Sequence, residues 1–343
     1  MQQRGKRLQN DKYLRGLLRD ESGGRRIYHS ILADYILGQM SEEEKKKYHK
    51  RAIKIYRGKL KKAKKEQTKP DELAAVRLPE HVLSVEGDKS FIYVFTDECI
   101  QPLTNLGLLD EAISLSERAL RIVKDGSVEE AMVLGNLGFI CQTKGQLDRA
   151  EEIQKRSLEI DKKLDHIKAM AADYGNLGMI YQKRGEFDKA EEMVEKALKI
   201  DEKLGLLEWG ATAYGNLGVI YQGKGKLDKA EEMHKKSLEI AERIGLITEI
   251  SRQYGNLGLI YLKRGELDKA EKTLKRSLVI NEKLGLLEGM AKVYGSLGLV
   301  YKQQGDLEKA RGYWEKSLDL FKKIGMPNEI KEVEWWIEEI KEK

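Results

Sequence analysis

Apolar residues recur at helical spacing along most of the chain and predict a series of amphipathic helices. The clearest example is residues 186–203, whose apolar positions follow the order i, i+3, i+4, i+7, i+8 of one buried helix face. These positions are Ala190, Met193, Val194, Ala197 and Leu198. A preceding helix is predicted over residues 168–183. Gly185 and Gly205 come just after the two predicted helices, where a glycine commonly ends a helix.

The helical pattern repeats with a fixed period. The segment Tyr-Gly-Asn-Leu-Gly at 174–178 returns at 214–218 and 254–258, and variants of it stand at 134–138 and 294–298. Each copy lies 40 residues after the one before it. A period in this range is typical of an α-solenoid, in which each helix pair packs only on its neighbours. The sequence therefore predicts an all-α fold built of helix-turn-helix repeats.

The repeats divide the chain into three predicted regions. Residues 1–87 form a basic N-terminal region, in which short apolar runs around a Gly-Gly turn predict a β-hairpin over 13–28, followed by helices. Residues 88–325 hold one degenerate and five regular repeats. Residues 326–343 predict a helix that caps the array, because a terminal repeat needs a polar outer face.

Charge is distributed unevenly between these regions. Residues 1–70 contain 21 Lys and Arg against 8 Asp and Glu, whereas the whole chain has a net charge of only +6. The helix predicted after Ser41 carries a basic patch, formed by Lys46, Lys47, Lys50, Lys54 and Lys61. Its apolar side is expected to consist of Tyr48, Ala52, Ile55, Tyr56 and Leu60. Two interpretations are open: a solvated helix face, or a surface for nucleic acid or an acidic protein.

The repeat closely resembles the tetratricopeptide repeat over about residues 91–325. Its characteristic residues are Leu177-Gly178, Tyr181, Gly185, Phe187, Ala190 and Ala197-Leu198. The period of 40 residues exceeds the usual one of about 34. In this respect the repeat is similar to those of Partner-of-Inscuteable-type polarity scaffolds and of kinesin light chain. The resemblance implies a right-handed superhelix whose concave side, lined by the first helix of each repeat, binds a protein or peptide.

The resemblance also implies which residues line this groove. Three sets lie on the first helix of the repeats: an asparagine, whose amide could pair with a peptide backbone; an apolar residue; and a polar residue, which stands near the helix end in the first three regular repeats and nearer its start in the next two. They are Asn136, Asn176, Asn216 and Asn256; Phe139, Met179, Val219, Leu259 and Leu299; and Gln142, Gln182, Gln222, Arg252 and Lys292. The apolar set argues against the Lys- and Asn-based carboxylate clamp of chaperone-binding relatives. It favours an amphipathic helix or an extended peptide with apolar anchors.

Each of these assignments has a structural alternative. An asparagine amide both donates and accepts, so it can pair with a bound peptide backbone or with a neighbouring helix. The apolar residues can line a groove or pack against the next repeat. Gly175 and Gly178 each cost about 1 kcal/mol relative to alanine in a helix, which indicates an offsetting role. For Gly178 we expect close approach of the second helix, and for Gly175 either similar packing or an open groove floor.

The sequence offers little support for catalysis or a cofactor. The five histidines are scattered, none stands at metal-ligand spacing, and Cys99 and Cys141 lie in apolar helix patterns. Acidic pairs such as Glu191-Glu192 are expected on the solvated face. The phosphate-binding loop pattern G-x-x-x-x-G-K-[ST] does not occur. No catalytic residue, metal or cofactor is therefore predicted.

The predicted function is that of a non-enzymatic, cytoplasmic scaffold that binds a protein segment. The location follows from the absence of a cysteine framework, a secretory signal and an apolar span of membrane length. Two alternatives are open. Residues 11–65 resemble the winged-helix end of signal-transduction ATPases, which implies a sensor arm of a signalling ATPase or transcription regulator, although a plain helical cap would give a similar pattern. The other alternative is nucleic-acid contact through the basic patch.

Overall fold

A computed structural model describes residues 40–66 and 68–340 of the chain. All secondary structure in these ranges is helical, and consecutive helices pack on each other, so the predicted all-α solenoid is confirmed. The β-hairpin predicted over 13–28 lies outside the described residues. The chain divides into two compact units, with the boundary between Ile122 and Val123. This boundary follows the degenerate repeat, whereas the sequence analysis placed a boundary before it, at residue 88.

The first unit contains one long helix and several shorter, irregular ones. In the described residues they are α1 (Glu42–Glu66), α2 (Glu72–Glu86), α3 (Asp88–Val94), α4 (Ile100–Asn105) and α5 (Leu109–Leu120), with a π-helical turn at Phe95–Cys99 between α3 and α4. Pro102 has no N–H to donate to the carbonyl of Glu98, so a regular α-helix is interrupted at this point. The degenerate repeat therefore has a broken first helix.

Helix α1 starts with a capping box and packs through a different stripe from the one predicted. The Ser41 N–H donates to Glu44 Oε2 at 2.9 Å, and the Glu44 N–H donates to Ser41 Oγ at 3.3 Å. The buried residues of α1 are Ala52, Ile53, Leu60 and Ala63. Ile55 is 49% exposed and Tyr48 is 41% exposed. Their assignment to the buried side was wrong, because the packed face is centred nearer to Ile53.

The second unit is a row of five helix pairs, each consisting of a helix A and a helix B, which we call repeats 1 to 5. The pairs are α6 (Val128–Thr143) with α7 (Leu147–Lys163), α8 (Ile167–Lys183) with α9 (Phe187–Leu204), α10 (Leu207–Gly223) with α11 (Leu227–Ile244), α12 (Ile247–Lys263) with α13 (Leu267–Leu284), and α14 (Leu287–Gln303) with α15 (Leu307–Ile324). Helix α16 (Pro327–Glu339) follows repeat 5.

Two recurring contacts hold helix A against helix B within a repeat. A Cβ atom at Gly178 would lie 2.5 Å from Val194 Cγ2, so glycine permits this close approach, as predicted. The Ser237 hydroxyl donates to the carbonyl oxygen of Ala211 at 2.7 Å. Equivalent bonds are made by Ser157, Ser277 and Ser317. The repeated sequence thus produces a repeated helix-to-helix geometry.

Neighbouring repeats are joined by a polar clasp between helix B of one repeat and helix A of the next. Tyr221 Oη donates to Glu191 Oε1 at 2.6 Å, and Lys224 bonds both Glu191 and Asp188. The same tyrosine bond joins Tyr181 to Glu151, Tyr261 to Glu231 and Tyr301 to Glu271. Glu191 is therefore half-buried and bonded across a repeat junction. The expectation of a fully solvated pair was wrong for this residue.

Helix α16 packs on the last repeat. Val333, Ile337 and Ile340 are buried in a core cluster that includes Trp314. The indole rings of Trp314 and Trp336 lie 5.8 Å apart between centroids, at an interplanar angle of 37°. Because α16 follows repeat 5 by the same 40-residue step, it stands where a further helix A would stand.

Candidate functional site

The predicted asparagines all lie on helix A of their repeats and all are half-buried. Asn176 and Asn216, from repeats 2 and 3, line the same cavity. Asn136 Nδ2 donates to the Met132 carbonyl of its own helix at 3.0 Å. Within the described ranges, the side chains of Asn176, Asn216 and Asn256 make no hydrogen bond. Three of the four amides therefore remain able to bind a ligand.

The predicted apolar residues are also half-buried, but their surroundings differ. Met179 lines the cavity together with Asn176 and Asn216. Leu299 instead packs against two core clusters at the C-terminal end of the array. The packing alternative therefore applies at Leu299, whereas Met179 borders open space. The other members of the set are Phe139, Val219 and Leu259.

The predicted polar residues do not form one continuous surface. Gln182 and Gln222 are half-buried, whereas Arg252 and Lys292 are exposed and bond Glu249 and Glu288 of their own helices. Gln142 is only 1% exposed, and both its amide atoms are buried without a hydrogen-bond partner among the described residues. Its assignment to the groove surface is thus corrected. In repeat 1, this position of helix A lies in the interior.

A cavity of about 320 Å³ lies between α8, α9 and α10. Small and apolar side chains form most of its walls. The amides of two asparagines and the hydroxyl of one threonine lie among them. The lining residues are Ala171, Ala172, Gly175, Asn176, Met179, Val194, Ala197, Asp201, Glu208, Trp209, Thr212, Ala213 and Asn216. A concave site with apolar walls and a few polar groups is the usual form of a binding pocket. It contains three of the residues predicted to line the groove.

Asp201 gives this cavity a buried acidic group. The residue is 3% exposed, and its Oδ1 atom is buried with no hydrogen-bond partner among the described residues. Burial, and to a smaller extent the nearby Glu202 carboxylate, raises the pKa of Asp201 to about 6. The indole of Trp209 forms part of the wall, and Lys168 Nζ lies 5.0 Å from its centroid. The sequence analysis identified neither Asp201 nor Trp209.

The equivalent interior positions of repeats 1 and 3 hold polar side chains that contact a polar residue on helix A of the next repeat. In repeats 1 and 2, Gln154 Nε2 donates to Asp173 Oδ1, and burial, followed by the charge of Asp161, raises the pKa of Asp173 to about 8. In repeats 3 and 4, His234 contacts Gln253 Oε1 at 2.6 Å and the Gln222 amide at 3.0 Å. In the sequence, these groups are marked only by the variable residue type at the helix B position that faces the second glycine of the Tyr-Gly-Asn-Leu-Gly segment.

The basic patch lies on the surface of α1. Lys46, Lys47, Lys50, Lys54 and Lys61 are all exposed. Within the described residues, none of them makes an ion pair. On the packed side of α1, His49 Nδ1 lies 2.7 Å from His81 Nδ1 of α2. The structure thus brings together two histidines that the sequence analysis treated as scattered, and burial, then the His49 charge, lowers the pKa of His81 to about 4.

The described residues contain no cluster of three or more His, Cys, Asp and Glu side chains arranged to hold a metal ion. Cys99 and Cys141 are both buried, and burial raises the pKa of the Cys99 thiol far above its ordinary value. A buried neutral thiol is a poor nucleophile. Among the described residues, no helix combines the length and the apolar character needed to cross a bilayer.

Three segments of the chain, residues 103–163, 169–243 and 249–323, match the family model described as Tetratricopeptide repeat. The chain belongs to the tetratricopeptide repeat family. This fold is generally a non-catalytic protein-interaction module, and the coarse role of the chain is accordingly that of a protein-interaction scaffold. Among curated proteins, none matches the sequence significantly.

Several solved structures share this fold at low identity. BtubC from P. vanneervenii is 23% identical, with a TM-score of 0.52, over 67% of this chain and 94% of that one. A Rap protein complexed with competence and sporulation factor is 16% identical, with a TM-score of 0.58, over 85% of each chain. The signal transduction ATPase with a tetratricopeptide repeat sensor from Pyrococcus horikoshii is 16% identical, with a TM-score of 0.58. That match covers 86% of this chain and 50% of the ATPase.

Proposed function

We propose that the helix A surface of the second unit binds a short segment of a partner protein. The observation that carries this proposal is the cavity at which the unbonded amides of Asn176 and Asn216 meet the apolar side chain of Met179. An amide without a protein partner can both donate to and accept from a peptide backbone. The apolar walls beside it supply a place for a side chain of the same segment.

The test is partner capture by the purified chain, compared with a variant carrying Asn176→Ala, Asn216→Ala and Asn256→Ala. Proteins retained by the native chain are identified by mass spectrometry, and overlapping peptides from each are then tested for direct binding. We expect one short segment to bind the native chain and to lose most of its affinity for the triple variant, because three backbone-pairing groups are gone. Helicity and the unfolding temperature should change little.

Asn136→Ala is the matched control, because Asn136 already bonds the Met132 carbonyl of its own helix. Its removal should leave segment binding close to native. Equal binding by the native chain and the triple variant would contradict the proposal. A triple variant that no longer folds would show instead that the asparagines have a structural role.

The basic patch supports a second candidate function, contact with nucleic acid. Its five lysines are exposed and make no ion pair within the described residues. Phosphate binding by such a face should weaken steeply as salt rises, because bound counterions are released. The measurement is affinity for a duplex of arbitrary sequence at several salt concentrations. Absent or salt-independent binding would remove this candidate.

The sensor-arm hypothesis rests on the resemblance of residues 11–65 to the winged-helix end of signal-transduction ATPases. The fold shared with an ATPase that carries a tetratricopeptide repeat sensor is compatible with it. The discriminating observation is the reading frame next to this one in the genome. A neighbouring nucleotide-binding protein that co-purifies with this chain would support a sensor arm, and its absence would count against it.

A further inference from the structure

We propose that the cavity between α8, α9 and α10 accepts a lysine or arginine side chain of the captured segment, with Asp201 as its counter-ion. This proposal rests on the proposed function and names the chemistry of the partner at one subsite. Three observations support it: small side chains open the cavity at this junction, its lining includes a buried carboxylate oxygen without a partner among the described residues, and its walls suit the methylene groups of a long cationic side chain.

Small residues at three positions open the cavity at this junction. Opposite the helix A glycine, repeat 2 has Val194, where the other repeats have larger side chains. These are Gln154, His234, Leu274 and Trp314. One turn further along helix B, repeat 2 has Ala197 where the other repeats have serine. Helix A of repeat 3 contributes Ala213, at the position where repeats 2 and 4 have the larger Asp173 and Gln253. The cavity is thus a local departure from the repeat.

The floor of the cavity is open above a glycine of helix A. A Cβ atom at Gly175 would meet nothing within 4 Å. At the equivalent position of the next repeat, a Cβ at Gly215 would lie 2.7 Å from Gln253 Nε2 and 3.2 Å from Glu249 Oε1. The side chains of the following helix therefore fill this space in repeat 3. In repeat 2 this space is open to a ligand. Of the two roles considered for Gly175, the open groove floor therefore fits better than close packing.

Asp201 has a buried oxygen with no hydrogen-bond partner among the described residues, and it lines the cavity. In the preceding repeat, Asp161 Oδ1 lies 3.4 Å from His166 Nδ1 and close to Asp173. Two repeats further on, the equivalent Asn281 accepts from Ser251 at 2.8 Å. A buried carboxylate without a partner is costly, and a hydrogen-bonded cation would offset that cost.

The charged groups near the cavity favour a cation over an anion or a neutral donor. Glu208 is an exposed member of the lining, and Glu202 accepts from Tyr214 at 2.7 Å. The positive group in reach is Lys168, which lies over the Trp209 ring and forms no ion pair among the described residues. With Asp201 ionised, the local charge is negative. The apolar walls would shield an entering alkyl stem from water while its charged end reaches the carboxylate.

The experiment uses amidated, N-acetylated octapeptide libraries in which one central position is fixed as arginine, lysine, citrulline or norleucine. Citrulline has the shape of arginine without its charge, so the comparison isolates the ion pair. We expect the native chain to retain the arginine and lysine libraries at least about tenfold better than the citrulline and norleucine libraries, as a charge-assisted bond in a dry site would give. Asp201→Asn should abolish this preference and still retain peptides.

Asp161→Asn is the matched control, because it removes the carboxylate at the same position of the preceding repeat, which lies 3.4 Å from His166 Nδ1 and close to Asp173, and the preference should persist. Gly175→Leu provides an independent test, because its side chain would fill the cavity and should lower retention of all four libraries. Equal retention of arginine and citrulline by the native chain would overturn the subsite and leave the groove proposal standing. If the native chain retains no library, both proposals fail. Circular dichroism establishes that each variant is folded.

Discussion

The junction between repeats 2 and 3 and the junction between repeat 5 and α16 have the same helix arrangement but opposite interiors. At the first, Val194 stands opposite the helix A glycine and a cavity of about 320 Å³ remains. At the second, Trp314 fills that place, and Trp336 lies 3.2 Å from where a Cβ at Gly295 would be. The repeat backbone therefore does not determine whether a junction contains a cavity. The volume of a few interior side chains decides it.

At the second junction, α16 takes the place of a further helix A. Trp336 is placed 40 residues after Ser296 and so occupies the position of the asparagines in the repeats. An indole there covers the surface that Asn176 and Asn216 leave open. At this junction α16 fills the helix A surface, whereas Asn176 and Asn216 keep side-chain amides without a hydrogen-bond partner among the described residues.

The largest effect is expected from Trp314→Ala, which would convert the closed junction into an open one. Loss of a fully buried indole should lower the free energy of unfolding by about 3–5 kcal/mol. Val194→Ala should cost no more than about 2 kcal/mol, because fewer atoms are removed beside a space that already exists. Urea denaturation of both variants measures the contrast. Similar losses for the two would show that the junctions are not packed as described.

The next effect concerns the buried carboxylates of repeats 1 and 2. The folded-state pKa of Asp173, raised to about 8, exceeds the ordinary value of about 4 in an unfolded chain. The folded state therefore binds the proton more tightly, and stability falls as pH rises from about 4 to about 8. Asp173→Asn removes this loss and should stabilise the protein by about 1–3 kcal/mol above pH 8.

The control for this prediction is the same pair of proteins at pH 4, where Asp173 is protonated in the folded state. There the two unfolding free energies should agree closely. A stability gain that is independent of pH would contradict the ionisation argument and would point to packing instead.

A pair of glycine substitutions sharpens the contrast between packed and open positions. Gly178→Ala should destabilise by about 1–3 kcal/mol, because its Cβ would overlap Val194 Cγ2 and lie 3.3 Å from the Ala190 carbonyl oxygen. Gly175→Ala should instead stabilise by up to about 1 kcal/mol, since alanine favours the helix and its Cβ meets open space. Thermal unfolding monitored by circular dichroism distinguishes the two. A change in stability of the same sign for both variants would contradict the contrast between a packed Gly178 and an open Gly175.

The smallest effect is expected at the clasps, which occur both at the open junction of repeats 2 and 3 and at the junction of repeats 4 and 5. Tyr221→Phe removes the 2.6 Å bond to Glu191 and should cost about 0.5–1.5 kcal/mol. Tyr301→Phe removes the equivalent bond to Glu271 at 2.8 Å and should cost a similar amount. Equal losses of unfolding free energy in urea denaturation would indicate that the clasps do not depend on which side chains fill the interior of the junction. A much larger loss at one site would contradict this.

The sequence by itself determined the helices, their pairing and the solenoid, because these follow from local periodicity and a fixed repeat. The packing role of Gly178 could also be predicted, since a glycine that destabilises the helix interior and yet recurs in every repeat indicates close packing. The exposed lysines of α1 were predicted as well. The register of the packed side of α1 was not, since Ile53 and Ile55 are equally apolar and only contact with α2 distinguishes them.

Only the tertiary structure decided where the array is open. The cavity requires Val194, Ala197 and Ala213 to be small together, and these residues come from two helices. Gln142 was predicted at the surface by its repeat position, yet its neighbours bury it. Asp201 resembles an ordinary polar residue of helix B until the fold places it at the base of the cavity. The repeat pattern in the sequence shows what the repeats have in common, whereas the cavity arises from side chains in which one junction differs from the others.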